Sequence, residues 1–337
     1  LRIFVLGVNG FIGSFLAERI LRETDWDLIG LDPSDHNLGG CLPNPRFTLI
    51  RSTMIESWDR IDREIDAADA VVPLAGIAKP AVYMKDPMLV YELDFEQNLR
   101  VVRSCARANK WVIFPSTSEV YGMSPDAELR EDESPLVQGP IAKSRWIYSC
   151  SKQMMDRVIA ALGERDHLPY TLFRPFNWIG PRQDNLRDQE RGQSRVLTQF
   201  LYNGLTGRPM VLVDGGNRRR SFTDIEDGIG GIMRILENRT AAEGQIFNLG
   251  NPGNNASIRD LALLVRETLA RITGRPGGDF PVEDRPAADY YGEGYQDIED
   301  RRPSVEKARA LLGWAATRTL AETVERTALW FAEILRA

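Results

Sequence analysis

Seven residues near the start of the chain, Gly7-Val-Asn-Gly10-Phe-Ile-Gly13, constrain the fold more than any other stretch. They follow an apolar run, Ile3-Phe4-Val5-Leu6, and open a segment with helical periodicity. A glycine-rich turn between a strand and a helix lets backbone approach a diphosphate and aims the helix's free N–H groups at it. The spacing is GxxGxxG rather than GxGxxG, and a bare glycine triplet also fits a plain loop. Asp32, nineteen residues past Gly13 at the end of the second apolar run, strengthens the nucleotide reading. A carboxylate there hydrogen-bonds ribose hydroxyls and repels a 2′-phosphate, which favours NAD over NADP. The plainer alternative is that Asp32 caps the turn with Pro33.

The pattern of that opening continues. Strands are expected at Arg2–Leu6, Asp27–Leu31, Phe47–Arg51, Ala70–Leu74, Trp111–Pro115 and Tyr170–Arg174, with helices at Phe11–Glu23, Trp58–Ala67, Pro87–Asn109 and Arg145–Arg165. Such alternation predicts an α/β fold of the Rossmann type, a doubly wound parallel sheet covered on both faces. From about residue 176 the pattern loosens, so residues 1–175 are expected to bind the dinucleotide and 176–337 to form mainly a smaller C-terminal substrate-binding lobe. A stretch at about 211–250 is expected to return to the sheet. Capping-box starts at Ser257-Ile-Arg-Asp260 and Thr319-Leu-Ala-Glu322 mark two helices of the later half.

Bulk properties exclude several classes. A net charge of −6 over 337 residues argues against a general nucleic-acid or anionic-membrane partner. No apolar run reaches the length of a bilayer span. The apolar opening passes into the glycine motif before reaching the length of a signal segment, so a cytoplasmic protein is expected. Three scattered cysteines, Cys41, Cys105 and Cys150, indicate neither disulfides nor zinc, and no metal site is expected. With only two histidines, acid–base chemistry must come from other side chains.

Tyr148 and Lys152 supply a candidate. Four residues apart on an expected helix, they share one face, and a nearby ammonium favours phenolate over phenol. The plainer alternative is a surface tyrosine beside a solvated lysine. In FPSTSEVYG, residues 114–122, an apolar run ends in Thr117, which can hydrogen-bond the same substrate hydroxyl, and then in Glu119. A carboxylate at the mouth of a buried strand is costly unless its charge is held or used.

Together these segments resemble the extended short-chain dehydrogenase/reductases: GVNGFIG, FPSTSEVYG, RWIYSCSKQ, FRPFNWIGPR, SFTDI and YYGEGYQD. Within that family the resemblance is strongest to the UDP-glucuronic acid oxidative decarboxylases, the UDP-4-keto-pentose-forming half of the bifunctional lipid A aminoarabinose enzyme. It implies NAD as cofactor, held by Gly7, Asn9, Gly10, Phe11, Ile12, Gly13, Asp32, Thr53, Met54, Leu74, Ala75, Tyr148 and Lys152. Thr53 stands where relatives carry an aspartate that receives the adenine amino group. For UDP-glucuronic acid it implies Ala78, Tyr83, Thr117, Ser118, Arg145, Asn177, Arg195, Val211, Arg220, Tyr295 and Arg301. Val211 replaces a lysine of the relatives, and Arg218 and Arg219 are read as a solvated basic turn. The resemblance makes Glu119 the proton acceptor and Arg301 the proton donor. An arginine is a poor acid, so an electrostatic role is the better expectation for Arg301. Ser118 replaces the aspartate of dehydratases and disfavours dehydration. A UDP-xylose synthase and a UDP-glucuronate 4-epimerase are the neighbouring alternatives, and a non-catalytic NAD sensor is a more distant one. Relatives pair the two long helices across a dimer axis, so a homodimer is expected.

Overall fold

The computed structural model describes residues 1–184, 189, 194–292 and 295–336. Strands β1 (Arg2–Leu6), β2 (Asp27–Leu31), β3 (Phe47–Ile50), β4 (Ala70–Pro73), β5 (Trp111–Pro115) and β6 (Tyr170–Pro175) join Gln245–Leu249 in one seven-stranded parallel sheet. The order across it is Gln245–Leu249, β6, β5, β4, β1, β2, β3. The chain winds outward from β1 in both directions, so the crevice at the carboxyl ends of β1 and β4 is where ligands of such sheets bind. Within 211–250, Gln245–Leu249 is the segment that enters the sheet. Met210–Val213 instead pairs with Val282–Arg285 in a separate two-stranded ribbon.

Side-chain alternation along β1 explains why the sheet is covered twice. Ile3 and Val5 pack with Phe15, Leu16 and Ile20 of helix α1 (Phe11–Glu23) and with Ile229 and Ile232. Phe4 and Leu6 pack on the other face with Ile61 and Ile65 of α2 (Trp58–Ala67) and with Met155 and Ile159. Each such side chain contributes about 1.5–3 kcal/mol by leaving water. A third apolar cluster includes Phe200, Leu201, Met210, Leu261, Leu269 and Phe331, all from the later half of the chain. Both capping boxes form, at the starts of Ile258–Thr273 and Leu320–Ile334.

The expected helix at 87–109 is not one regular helix. Short helix α3 (Pro80–Lys85) precedes α4 (Pro87–Tyr91), a π-helical turn occupies Glu92–Gln97, and α5 (Asn98–Ala108) follows. Buried Asn98 is part of the reason: its Nδ2 donates to Leu93 O at 2.8 Å and to Ala75 O at 3.0 Å. Helix α6 (Trp146–Asp166) carries the tyrosine and lysine of interest. No helix among the described residues is long and apolar enough to cross a membrane.

Candidate active site

Gly7 leaves β1 with φ 79°, and a Cβ on it would lie 2.7 Å from Ala75 N. A Cβ on Gly13 would lie 2.4 Å from Gly7 O, so only glycine permits this turn to close on α1. Gly10 caps α1 without a side-chain hydrogen bond, and the first turn carries no acidic residue. Its N–H groups therefore remain available to an anion. Asp32 accepts from Asn9 N at 3.1 Å through one oxygen and from Ser34 N at 3.0 Å through the other. Gly7, Asn9, Gly10, Phe11, Ile12, Gly13, Asp32 and Leu74 line a cavity of about 1160 Å³ that reaches Arg182 and Trp330. This cradle, closed to any side chain at Gly7 and Gly13, fits a dinucleotide. Ala75 supports it through the close contact with Gly7.

Five expected cofactor residues lie outside that lining: Ala75 just behind it, Tyr148 in the adjoining cavity, Lys152 on the same helix as Tyr148, and Thr53 and Met54 apart from both. Thr53 closes a turn with Glu56, its Oγ1 donating to Oε2 at 2.7 Å and accepting from Glu56 N at 3.3 Å. Met54 is buried in the core with Leu6 and Leu31. The hydroxyl proposed to meet adenine is thus already engaged within its own loop.

A second cavity, of about 270 Å³, adjoins the first, sharing Phe11, Ile12, Ala78, Gln183 and Arg195 with it. Its lining brings together Ala78, Tyr83, Thr117, Ser118, Glu119, Arg145, Tyr148, Asn177, Arg195, Val211, Arg220, Tyr295 and Arg301, which the sequence scatters over more than half its length. Arg218, read from sequence as solvated, also lines it and pairs with Glu299 at 2.8 Å. The solvated reading still describes its side chain, which is 37% exposed and paired with a surface glutamate. Arg219 conforms to it, bonding Asn255 on the surface. Arg195 pairs with Asp184 at 3.0 Å.

Thr117 Oγ1 accepts from Glu119 N at 3.2 Å and is hydrogen-bonded to the Tyr148 hydroxyl. The Tyr83 ring stacks on that of Tyr148 with centroids 4.7 Å apart. Burial pushes the Tyr148 phenol well above its ordinary value, Asp94 and Glu119 add to the rise, and the Thr117 hydrogen bond and Arg195 oppose it. Lys152, one turn along the same helix, is held by two other partners. Its Nζ donates to Pro115 O at 3.1 Å and lies 3.3 Å from Asp94 Oδ1.

Glu119 is held between two guanidiniums, Arg145 Nη2 at 2.8 Å and Arg301 Nη1 at 3.2 Å. Burial acts to raise its carboxyl, but Arg145, Arg301 and Arg220 together hold it below the usual range. Arg145 also donates to Gln296 O at 2.7 Å, and Trp146 Nε1 donates to Gln296 Oε1 at 3.0 Å. These bonds tie the segment around Tyr295, Asp297 and Arg301 onto the start of α6. Arg220 bonds Ile298 O and pairs with Asp297. Burial and the neighbouring Arg220 draw the Arg301 guanidinium down, and its Nε has no hydrogen-bond partner among the described residues. Sequence reasoning passed over Asp94, Asp297 and Gln296. Only the YQD triplet, Tyr295-Gln296-Asp297, signals the latter two.

Comparison with known proteins agrees with this geometry. The profile of the NAD dependent epimerase/dehydratase family matches residues 3–250. The crystal structure of PbgP3 protein from Burkholderia pseudomallei is 39% identical, with 99% of this chain and 97% of that one covered and a TM-score of 0.89. A UDP-glucuronic acid 4-epimerase from Bacillus cereus, in complex with UDP-glucuronic acid and NAD, is 22% identical with a TM-score of 0.82, covering 99% of this chain and all of its own (100%). A dTDP-glucose 4,6-dehydratase from Bacillus anthracis, in complex with NAD, is 19% identical with a TM-score of 0.79, covering 99% and 97%. At those lower identities the likeness is one of fold.

Proposed function

This chain belongs to the NAD dependent epimerase/dehydratase family, its cofactor is NAD, and from that premise we propose that it oxidatively decarboxylates UDP-glucuronic acid. The products are UDP-4-keto-pentose, CO₂ and NADH. The observation that carries the reading is the charge cluster beside Tyr148. Among the described residues, buried Arg145, Arg220 and Arg301 face Glu119 and Asp297, three cations to two anions, while Arg195 and Arg218 pair with Asp184 and Glu299. One surplus positive charge in a desolvated site suits a sugar that carries a carboxylate.

NAD, held by the glycine turn and Asp32, supplies the two-electron oxidation of a sugar carbinol to a ketone. Tyr148, as the phenolate favoured by the positive charges of Lys152 and oxidised NAD, takes the proton of the C4″ hydroxyl, with Thr117 orienting both oxygens. A ketone at C4″ lies β to the C5″ carboxylate, whose C–C bond then breaks with the electron pair delocalised into an enolate. Arg301 and Arg145 hold first the carboxylate and then the enolate oxygen, the electrostatic role that suits a guanidinium. Glu119, clamped and ionised, aligns those guanidiniums and relays to C5″ a proton from water, which balances the one that Tyr148 removes from the C4″ hydroxyl. Ser118 offers no acid strong enough to expel a hydroxyl, which supports decarboxylation over dehydration. Asn177, Arg195, Val211, Arg218 and Tyr295 form the nucleotide end of the cavity.

The test incubates the protein with UDP-glucuronate and NAD while NADH absorbance and CO₂ are followed. Net NADH with stoichiometric CO₂ supports the reading. CO₂ without NADH would point instead to re-reduction and UDP-xylose, and UDP-galacturonate without CO₂ to epimerisation.

A further inference from the structure

The reaction as described gives no task to the carboxylate that the active-site lysine faces. Asp94 sits in the π-helical turn, is 1% exposed, and accepts the Ile77 N–H through Oδ2 at 2.9 Å. Its other oxygen lies 3.3 Å from Lys152 Nζ. The carboxylate presses on the chain beside Ile77, since a Cβ on Gly76 would come within 2.5 Å of Asp94 Oδ1. Gly76 and Ala78, the residues flanking Ile77, line the nucleotide cavity. A π turn inserts an extra residue into helical winding and so changes which side chain faces a neighbour. Here Asp94 points to α6, with Asn98 bracing the turn.

A buried residue needed only to accept the Ile77 N–H would do so as a neutral amide. A charge in that place costs far more to desolvate and calls for a partner. We infer that Asp94 is a positioning residue of this site: its ion pair tethers the Lys152 ammonium, one turn from Tyr148 on α6, to the wall of the nucleotide cavity, and so sets how much of that positive charge is left to act on the phenol. The inference rests on the reading of Tyr148 as the base. Burial first, and then Asp94 ahead of Glu119, keeps the phenol above its ordinary value.

The other charged groups around the pair are committed elsewhere. Glu119, from the turn after β5, is shared by Arg145 and Arg301. Arg195, at the start of Val196–Leu205, acts on Tyr148 in the opposite sense while paired with Asp184. Tyr83 of α3 stacks on the ring as a buried phenol. Asp156, one turn beyond Lys152, accepts from Ser116 at 2.8 Å and Arg174 at 3.2 Å. Asp94 is the carboxylate whose ion pair is with Lys152.

The experiment compares wild type, Asp94→Asn and Tyr148→Phe in the NADH assay across the acid limb of the kcat/KM profile. In parallel, the ¹³C ring resonance of Tyr148, assigned by its loss in Tyr148→Phe, is titrated. Asp94→Asn is expected to move both midpoints to lower pH by about one unit, since a neighbouring anion disfavours phenolate. Unmoved midpoints in Asp94→Asn, with Tyr148→Phe inactive, overturn the role of Asp94 and leave the proposed function standing. Turnover surviving in Tyr148→Phe removes the tyrosine from the mechanism. The ring titration, which needs no turnover, then still decides whether Asp94 controls its ionisation. Should Asp94→Asn not fold, the smaller neutral Asp94→Ser serves in both arms with the same expected shift.

Discussion

A carboxylate buried between two guanidiniums is stabilising only while the set is complete. Glu119, Arg145 and Arg301 have side chains 11%, 2% and 6% exposed, so solvent screens little of their interaction. Removing one cation leaves an anion that water cannot reach, at a cost of about 3 kcal/mol or more. Arg145→Met is therefore expected to lose about 3 kcal/mol in urea unfolding at neutral pH. The sign of its pH dependence follows from the carboxyl's direction. The depressed value of Glu119 means that its contribution to stability is present above the ordinary glutamate pKa of 4.5 and is lost as pH falls through the lower folded value. In Arg145→Met burial acts with less opposition, the carboxyl titrates higher, and the neutral acid tolerates its site. The stability gap between the two proteins should thus narrow on acidification from pH 7. A gap that stays constant down through the carboxylate range would show that Arg145 acts through packing, not through charge on Glu119.

The glycine turn is the element that periodicity and chemistry both described well. Its strand and helix have the expected bounds, Arg2–Leu6 and Phe11–Glu23, because an apolar run bounded by glycine leaves little freedom in where either ends. Gly13→Ala should weaken NAD binding at least about tenfold in a fluorescence titration, since its Cβ meets carbonyls of Gly7 and Val8 at 2.4 and 2.7 Å. Gly277→Ala, with nothing within 4 Å among the described residues, is the matched control, and equal affinities in both would refute the steric account. The helix at 87–109 shows where such reading stops. Apolar spacing reports a helical face, not an extra residue wound into one turn, so the π insertion that aims Asp94 leaves no mark in the sequence. Nor does any spacing join Asp94 to Lys152, or Gln296 to Trp146: those contacts exist only once sheet order has brought the segments together. Tyr148 and Lys152, one turn apart on α6, were legible as a pair. What each faces was not, because Lys152 turns to an acid on another element.

At the scale of the molecule, α6 is the helix whose two sides ask for two partners. Met155 and Ile159 are buried against the sheet, while Met154 on the outer side is 52% exposed. Next to it α4, which packs on α6, presents Met88 at 55% and Leu89 at 44% exposure. Single exposed apolar side chains need no explanation, but three on adjoining helices form a patch of the kind that marks an association surface. A second copy of the chain, applying the same patch about a twofold axis, would cover it with helices on both sides. We therefore propose a homodimer through α4 and α6, with light scattering expected to give about 76 kDa, twice the 38.0 kDa of one chain. Leu89→Glu with Met154→Glu places like charges in the contact and should reduce that mass to one chain while leaving the circular dichroism of the fold intact. A wild-type mass of one chain would show that α4 and α6 leave this patch in water. A dimer indifferent to both substitutions would place the interface on another face.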